Sequence, residues 1–238
     1  MITGVDENPY ITTASGLKFH VANPSPLEVS VADIAQGLSR QPRFVGHTSE
    51  PWSVAEHCLL VTAILRHHGF NPRMQMAGLL HDAAEAYICD IPSPLKWAME
   101  EIDGALCAYR KIENRVEEAI NQALQPSWLD VPEYATKAIK QADQAALLTE
   151  AAAFINGGGT WTINDAEPFF MHPRVALDAL RIKLCMAKGL TVMETYLMTY
   201  DLLLAEEVGF WDMAPTQGSP RSSDGLPADA EVRPLPRL

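Results

Sequence analysis

The chain has 238 residues, 47% of them apolar, and a formal net charge of −12. That length suits one domain with a full core and an appendage. The acidic balance disfavours nucleic acid, whose binding needs clustered Lys and Arg. No run of about eighteen apolar residues occurs, and Met1 to Glu7 lacks the basic and apolar regions of a secretory signal. A cytoplasmic protein with no membrane partner is therefore expected. The four cysteines, Cys58, Cys89, Cys107 and Cys185, show no CxxC spacing and read as small buried hydrophobes rather than a thiolate site.

Residues 1–29 read as an extended N-terminal extension, broken at Asn23-Pro24-Ser25-Pro26, with room for a short strand in the first 22 residues. Helix signals dominate residues 30–210. Ser30-Val31-Ala32-Asp33 and Ser53-Val54-Ala55-Glu56 read as capping boxes, the second opening a helix to about His68. Asn71-Pro72 starts a helix expected to run to about Cys89, before Asp90-Ile91-Pro92-Ser93-Pro94. A long charged amphipathic segment covers roughly 95–124. Asp130-Val131-Pro132 opens another helix, ending near Asn156-Gly157-Gly158-Gly159. A short strand is expected at 160–164. His172-Pro173 begins a helix to about Lys188, and Thr191-Val192-Met193-Glu194 caps the last, ending near Gly209. Residues 211–238, rich in Pro, Gly, Ser and Asp, read as a disordered tail. The fold expected is an all-α helical bundle.

Ionisable residues on apolar helix faces carry the functional signal. His81 and Glu85, four apart, fall in the inward stripe of Ala77, Leu80, Ala84 and Ile88, with Asp82 beside them. His57 lies in the stripe of Val54, Val61 and Leu65. Asp143 sits among Ile139, Ala142, Ala146 and Leu147. Burying such groups without partners costs several kcal/mol each, roughly 2–7 for a neutral polar group. A divalent cation satisfies them together, and two imidazoles with two carboxylates suit Mn, Co, Fe, Ni or Zn. Glu56 reads as a capping partner and His67 and His68 as helix-end residues. His172 reads as a surface or capping residue, and His20 and His47 stay open.

The pattern Ser53-Val54-Ala55-Glu56-His57, then His81-Asp82-Ala83-Ala84-Glu85, then Asp90-Ile91-Pro92-Ser93-Pro94-Leu95-Lys96, resembles the HD-superfamily nucleotide phosphohydrolases. It is most similar to bacterial 5′-deoxynucleotidases and phage dATP triphosphohydrolases, over roughly Arg43 to Glu150. The resemblance implies an HD-domain bundle with His57, His81, Asp82 and Asp143 as metal ligands and Glu85 as general acid or base. It implies that Asp90, Ile91, Pro92 and Ser93 contact the deoxyribose. It also implies that Arg43 orients phosphate and that Phe44 packs on the sugar, where the nucleotidases carry Trp. Lys96 is a further candidate phosphate contact. The (p)ppGpp hydrolases fit less well, because Ala86 follows Glu85 where they carry an acid pair.

The implied activity is hydrolysis of a deoxynucleotide, dNMP or dNTP, at its 5′ phosphate ester by metal-activated water. The implied partner is a small-molecule nucleotide, and a homo-oligomer is expected. A non-catalytic nucleotide-sensing or partner-binding module is the competing reading, and purely structural metal binding a third. Either would leave Glu85 without a use.

Overall fold

A computed structural model describes residues 8–102, 104–124, 133–163 and 189–212. Its described part is helical, with one small hairpin. Strands β1 (Ile11–Thr12) and β2 (Lys18–Phe19) pair antiparallel, Ile11 opposite Phe19. Phe19 is fully buried and stacks on Tyr87, ring centroids 3.8 Å apart. The N-terminal extension is thereby fastened to the domain.

The helices are α1 (Val31–Arg40), α2 (Val54–His67), α3 (Pro72–Leu80), α4 (Glu85–Ile88), α5 (Ser93–Glu100), α6 (Ala105–Leu124), α7 (Glu133–Phe154) and α8 (Val192–Asp212). Helix α2 is the centre of the bundle. Val54, Ala55, Cys58, Leu60, Val61, Ile64 and Leu65 are all buried on it, and α1, α3, α7 and α8 pack around it. Its start is set by the expected box: the Ser53 hydroxyl accepts from the Glu56 amide at 3.3 Å, and the Glu56 carboxylate accepts from the Ser53 amide at 2.7 Å. Thr191 and Glu194 make the same reciprocal pair at α8. Gly78 lets α3 press close to α2, since a Cβ there would strike Leu65 and Val61.

Several expectations are corrected. No side-chain cap forms at Ser30; the Asp33 carboxylate instead accepts from the Ser15 amide at 2.7 Å and hydroxyl at 2.6 Å. The helix from Pro72 ends at Leu80, and a tight turn separates it from α4. Two carbonyls at its end are occupied by side chains: Gly78 by His81 Nδ1 at 2.8 Å, and Leu79 by the Tyr196 hydroxyl at 2.8 Å. The backbone then advances by i→i+3 bonds, such as Ala83 N to Leu80 O. The 95–124 segment is likewise two helices, α5 and α6, parted at Gly104, whose φ is +71°. The strand expected at 160–164 is absent from its described residues: Gly158–Thr160 is a 3-10 turn and 161–163 carries no strand. Of the cysteines, Cys58 is buried, whereas Cys89 and Cys107 are exposed. Cys185, the helix expected from His172 and residues 213–238 of the expected tail lie outside the described residues, while residues 211 and 212 continue α8.

Candidate metal centre and active site

His57 comes from the first turn of α2, one turn past its capped start. His81 and Asp82 come from the turn after α3, and Asp143 from α7. The structure brings all four together. His57 Nε2 lies 3.2 Å from Asp143 Oδ1 and 3.6 Å from Asp82 Oδ2; His81 Nε2 lies 3.1 Å from Asp82 Oδ2. The two imidazole rings are 5.2 Å apart, centre to centre. Ligand atoms of His57, His81 and Asp143 lie within 4.8 Å of one another.

The nitrogens test whether this set fits a cation. Both Nε2 atoms are buried and make no hydrogen bond of good geometry. Both Nδ1 atoms are engaged, His57 with Glu150 Oε1 at 2.7 Å and His81 with the Gly78 carbonyl. Donating from Nδ1 leaves an Nε2 lone pair facing the cluster, as metal-ligating histidines require. The residues fit a divalent ion of the imidazole–carboxylate class.

Protonation tells the same story in the metal-free protein. Burial and Arg43 oppose charge on His57, yet Glu150 and Asp143 raise it above the ordinary imidazole value. Burial opposes charge on His81 too, but Asp82 lifts it well above that value. Asp82 and Asp143 are pushed up by burial and pulled far below the carboxylate range, by His81 and His57 respectively. Without a cation, the carboxylates thus favour protonated imidazoles. Cys58 also reaches His81 and Asp82; without a cation, burial pushes its thiol up to about 11.

Glu85 opens α4 next to this cluster. Burial first, then Asp82 and Asp90, push its carboxyl up to about 9. A carboxylic acid protonated near neutral pH is a proton donor. Arg43 stands on the other side, in the turn after α1. Its amide is held by the Trp52 carbonyl at 2.9 Å, and its guanidinium meets Asp90 at 3.2 Å and Glu150 at 3.5 Å. Phe44 and Val45 follow with φ of +53° and +56°, a strained pair for residues with side chains, Val above all. The Arg43 guanidinium carbon lies over the Phe44 ring, 5.6 Å from its centre, and Phe44 is edge-on to Trp161 at 6.2 Å.

Asp90 lies beyond Cys89, whose φ is +69°; Ile91 and Pro92 are half-buried, and Ser93 is the exposed first residue of α5. Lys96 is engaged with Glu113 at 3.3 Å and lies over the Tyr109 ring. A cavity of about 270 Å³ opens beside His81, between Leu80, Ala84, Asn121, Thr136 and Ile139.

Two residues of the site carry no expectation from sequence. Glu150 is fully buried between His57 and Arg43; it follows Asp143 by seven residues, two turns along one face, which is a readable signal. Gln41 donates to the Glu85 carbonyl at 2.7 Å and accepts from the Asp90 amide at 3.0 Å. A lone polar residue before Pro42 carries no such signal.

The family described as 5′-deoxynucleotidase YfbR-like matches residues 44–159. The uncharacterized protein YfdR of Escherichia coli (strain K12) is 29% identical over 160 residues, 67% of this chain and 80% of that one. The uncharacterized protein RCAP_rcc00048 of Rhodobacter capsulatus is 32% identical over 142 residues, 58% of this chain and 68% of that one. No helix among the described residues is long and apolar enough to cross a membrane. The helical fold, the convergent His-Asp cluster and these matches together show that the chain belongs to the YfbR-like family of HD-superfamily phosphohydrolases.

Proposed function

We propose that this protein hydrolyses the 5′ phosphate ester of a deoxynucleotide, with dNMPs preferred over dNTPs. The observation that carries the reading is the pair of buried Nε2 atoms on His57 and His81, without hydrogen-bond partners and facing Asp82 and Asp143, beside the carboxyl of Glu85, whose pKa burial and Asp82 raise. His57, His81, Asp82 and Asp143 hold the cation. When bound, a Mn, Co, Fe, Ni or Zn ion lowers the pKa of the attacking water and offsets phosphoryl charge.

The remaining work belongs to side chains. Water forms the new P–O bond as the P–O5′ bond breaks, and Glu85 donates its proton to the departing O5′. The products are a deoxynucleoside and orthophosphate. Arg43 orients the phosphate, while Phe44 and the Asp90–Ser93 turn receive the sugar. Charge favours the monophosphate. The described cations nearest the site each stand on a carboxylate: Arg43 on Asp90, Lys96 on Glu113, and Lys140 on Asp143 at 2.7 Å. Little positive charge is left there for β and γ groups.

Chelation, restoration with Mn, Co or Zn, and incubation with a panel of dNMPs and dNTPs tests this. Orthophosphate from dNMPs is expected. Triphosphate from dATP reassigns the substrate. No anion released from any nucleotide, with metal bound, sinks the enzymatic reading in favour of a sensing module.

A further inference from the structure

The carboxylate of Glu150 is fully buried, on the far side of His57 from the metal cluster. Burying a carboxylate is costly unless it is paired. Here Oε1 meets His57 Nδ1 at 2.7 Å and Oε2 faces Arg43 Nε at 3.5 Å, with the Trp52 indole also beside it. Arg43 is in turn held by Asp90. The orientation of Glu150 is therefore fixed from two sides, by a ring and by a guanidinium.

An imidazole exposes a lone pair on one nitrogen only, and which one depends on the partner of the other. An acceptor at 2.7 Å from Nδ1 selects Nδ1–H. It leaves Nε2 as the donor atom toward Asp143 and Asp82, and a charged acceptor makes that nitrogen more basic. We propose that Glu150 is a positioning residue, which fixes the tautomer and ring angle of His57 for metal binding and joins that ligand to Arg43 through one shared carboxylate. This rests on the metal-site reading above. It goes further by giving Arg43 a second task, which is to neutralise and orient the group behind a metal ligand.

The test uses the intact protein without nucleotide. Long-range ¹H–¹⁵N correlation of His57 in the wild type, metal-free and loaded with Zn²⁺, reads the tautomer directly. Nδ1–H with an unprotonated Nε2 is expected once the ring is neutral, with Zn²⁺ on Nε2. Nε2–H, or Zn²⁺ on Nδ1, overturns the proposal. Glu150→Gln keeps an acceptor and the side-chain shape but removes the charge. Its Zn²⁺ affinity, measured against a chromophoric chelator, should fall about 10–100-fold, while Arg43→Gln, which leaves the His57–Glu150 bond in place, should fall less. Unchanged affinity in a folded Glu150→Gln protein also overturns it, and if that variant fails to fold, the wild-type tautomer decides. Neither readout involves a nucleotide, so failure to hydrolyse one would count against the proposed activity and leave Glu150 standing.

Discussion

Glu85 shows how one side chain acquires a role from its surroundings. Its ordinary pKa would leave it ionised at neutral pH; burial, Asp82 and Asp90 reverse that. Protonated, it can give a proton; ionised, it cannot. Activity should therefore fall on the alkaline side as Glu85 loses its proton. A cation beside Asp82 cancels the largest charge that raises Glu85, so in the loaded enzyme this limb lies below pH 9. Glu85→Gln should bind metal normally and lose roughly 10²–10⁴-fold in rate, with the alkaline limb flattened. Full activity in that variant, measured as orthophosphate released from dNMPs across pH 6–9, assigns proton transfer elsewhere. Residue identity alone carried much of this site. His57, His81, Asp82, Glu85 and Asp143 are ionisable groups on apolar faces, and that conflict is visible in a sequence. Glu150 offers the same conflict, buried two turns beyond Asp143 among Ala145, Ala146 and Ala151. Trp161 beside Phe44 carries no such signal, because an aromatic after a Gly-rich turn conflicts with nothing.

Elements were legible where backbone chemistry is reciprocal and illegible where distant side chains decide. The Ser53 and Thr191 boxes formed, because a Glu three residues on is long enough to reach back. Asp33 has a shorter side chain, and Ser15, eighteen residues away, takes it instead. Hydrophobic spacing runs unbroken through His81. The end of α3 depends on Tyr196 from α8 and on the His81 ring itself, which the local pattern does not contain. The short α4 depends on Gln41 in the same way. Its two hydrogen bonds clamp the turn from Glu85 to Asp90, so one side chain after α1 sets the distance between the acid and the sugar-side turn. Gln41→Ala removes both bonds, together worth about 1–3 kcal/mol. The expected result is a fall in kcat/KM of about tenfold, since 1.4 kcal/mol is a factor of ten, with Zn²⁺ affinity unchanged because no ligand touches Gln41. Lost metal affinity in this variant would show that the clamp supports the cluster rather than the turn.

At the scale of the whole molecule, the bundle encloses more acid than base around one point. Asp82, Asp143, Glu85, Asp90 and Glu150 face His57, His81 and Arg43. Without metal, that arrangement makes stability depend on pH in a calculable direction. Asp82, Asp143 and Glu150 are held below their ordinary values, so what they contribute is present above the carboxylate range and lost as pH falls. His57 and His81 are held above 6.5; their contribution is complete below that value and lost as pH rises through their folded values. Glu85 acts in the same direction, complete below 4.5 and lost on rising through about 9. The chelated protein should therefore be most stable in mildly acidic solution and weaken steadily toward pH 9. A cation binds the deprotonated imidazoles, so its stabilising effect grows with pH as fewer protons compete. At a free metal concentration near 100 times Kd the gain is about 2.7 kcal/mol, or about 5–10 °C in Tm for a chain of this size. Melting curves from pH 5 to 9, with chelator and with Mn²⁺ or Co²⁺, should show the two traces diverging as pH rises. Traces that coincide, or that converge at high pH, would mean that protons and not a metal are what this cluster was built to hold.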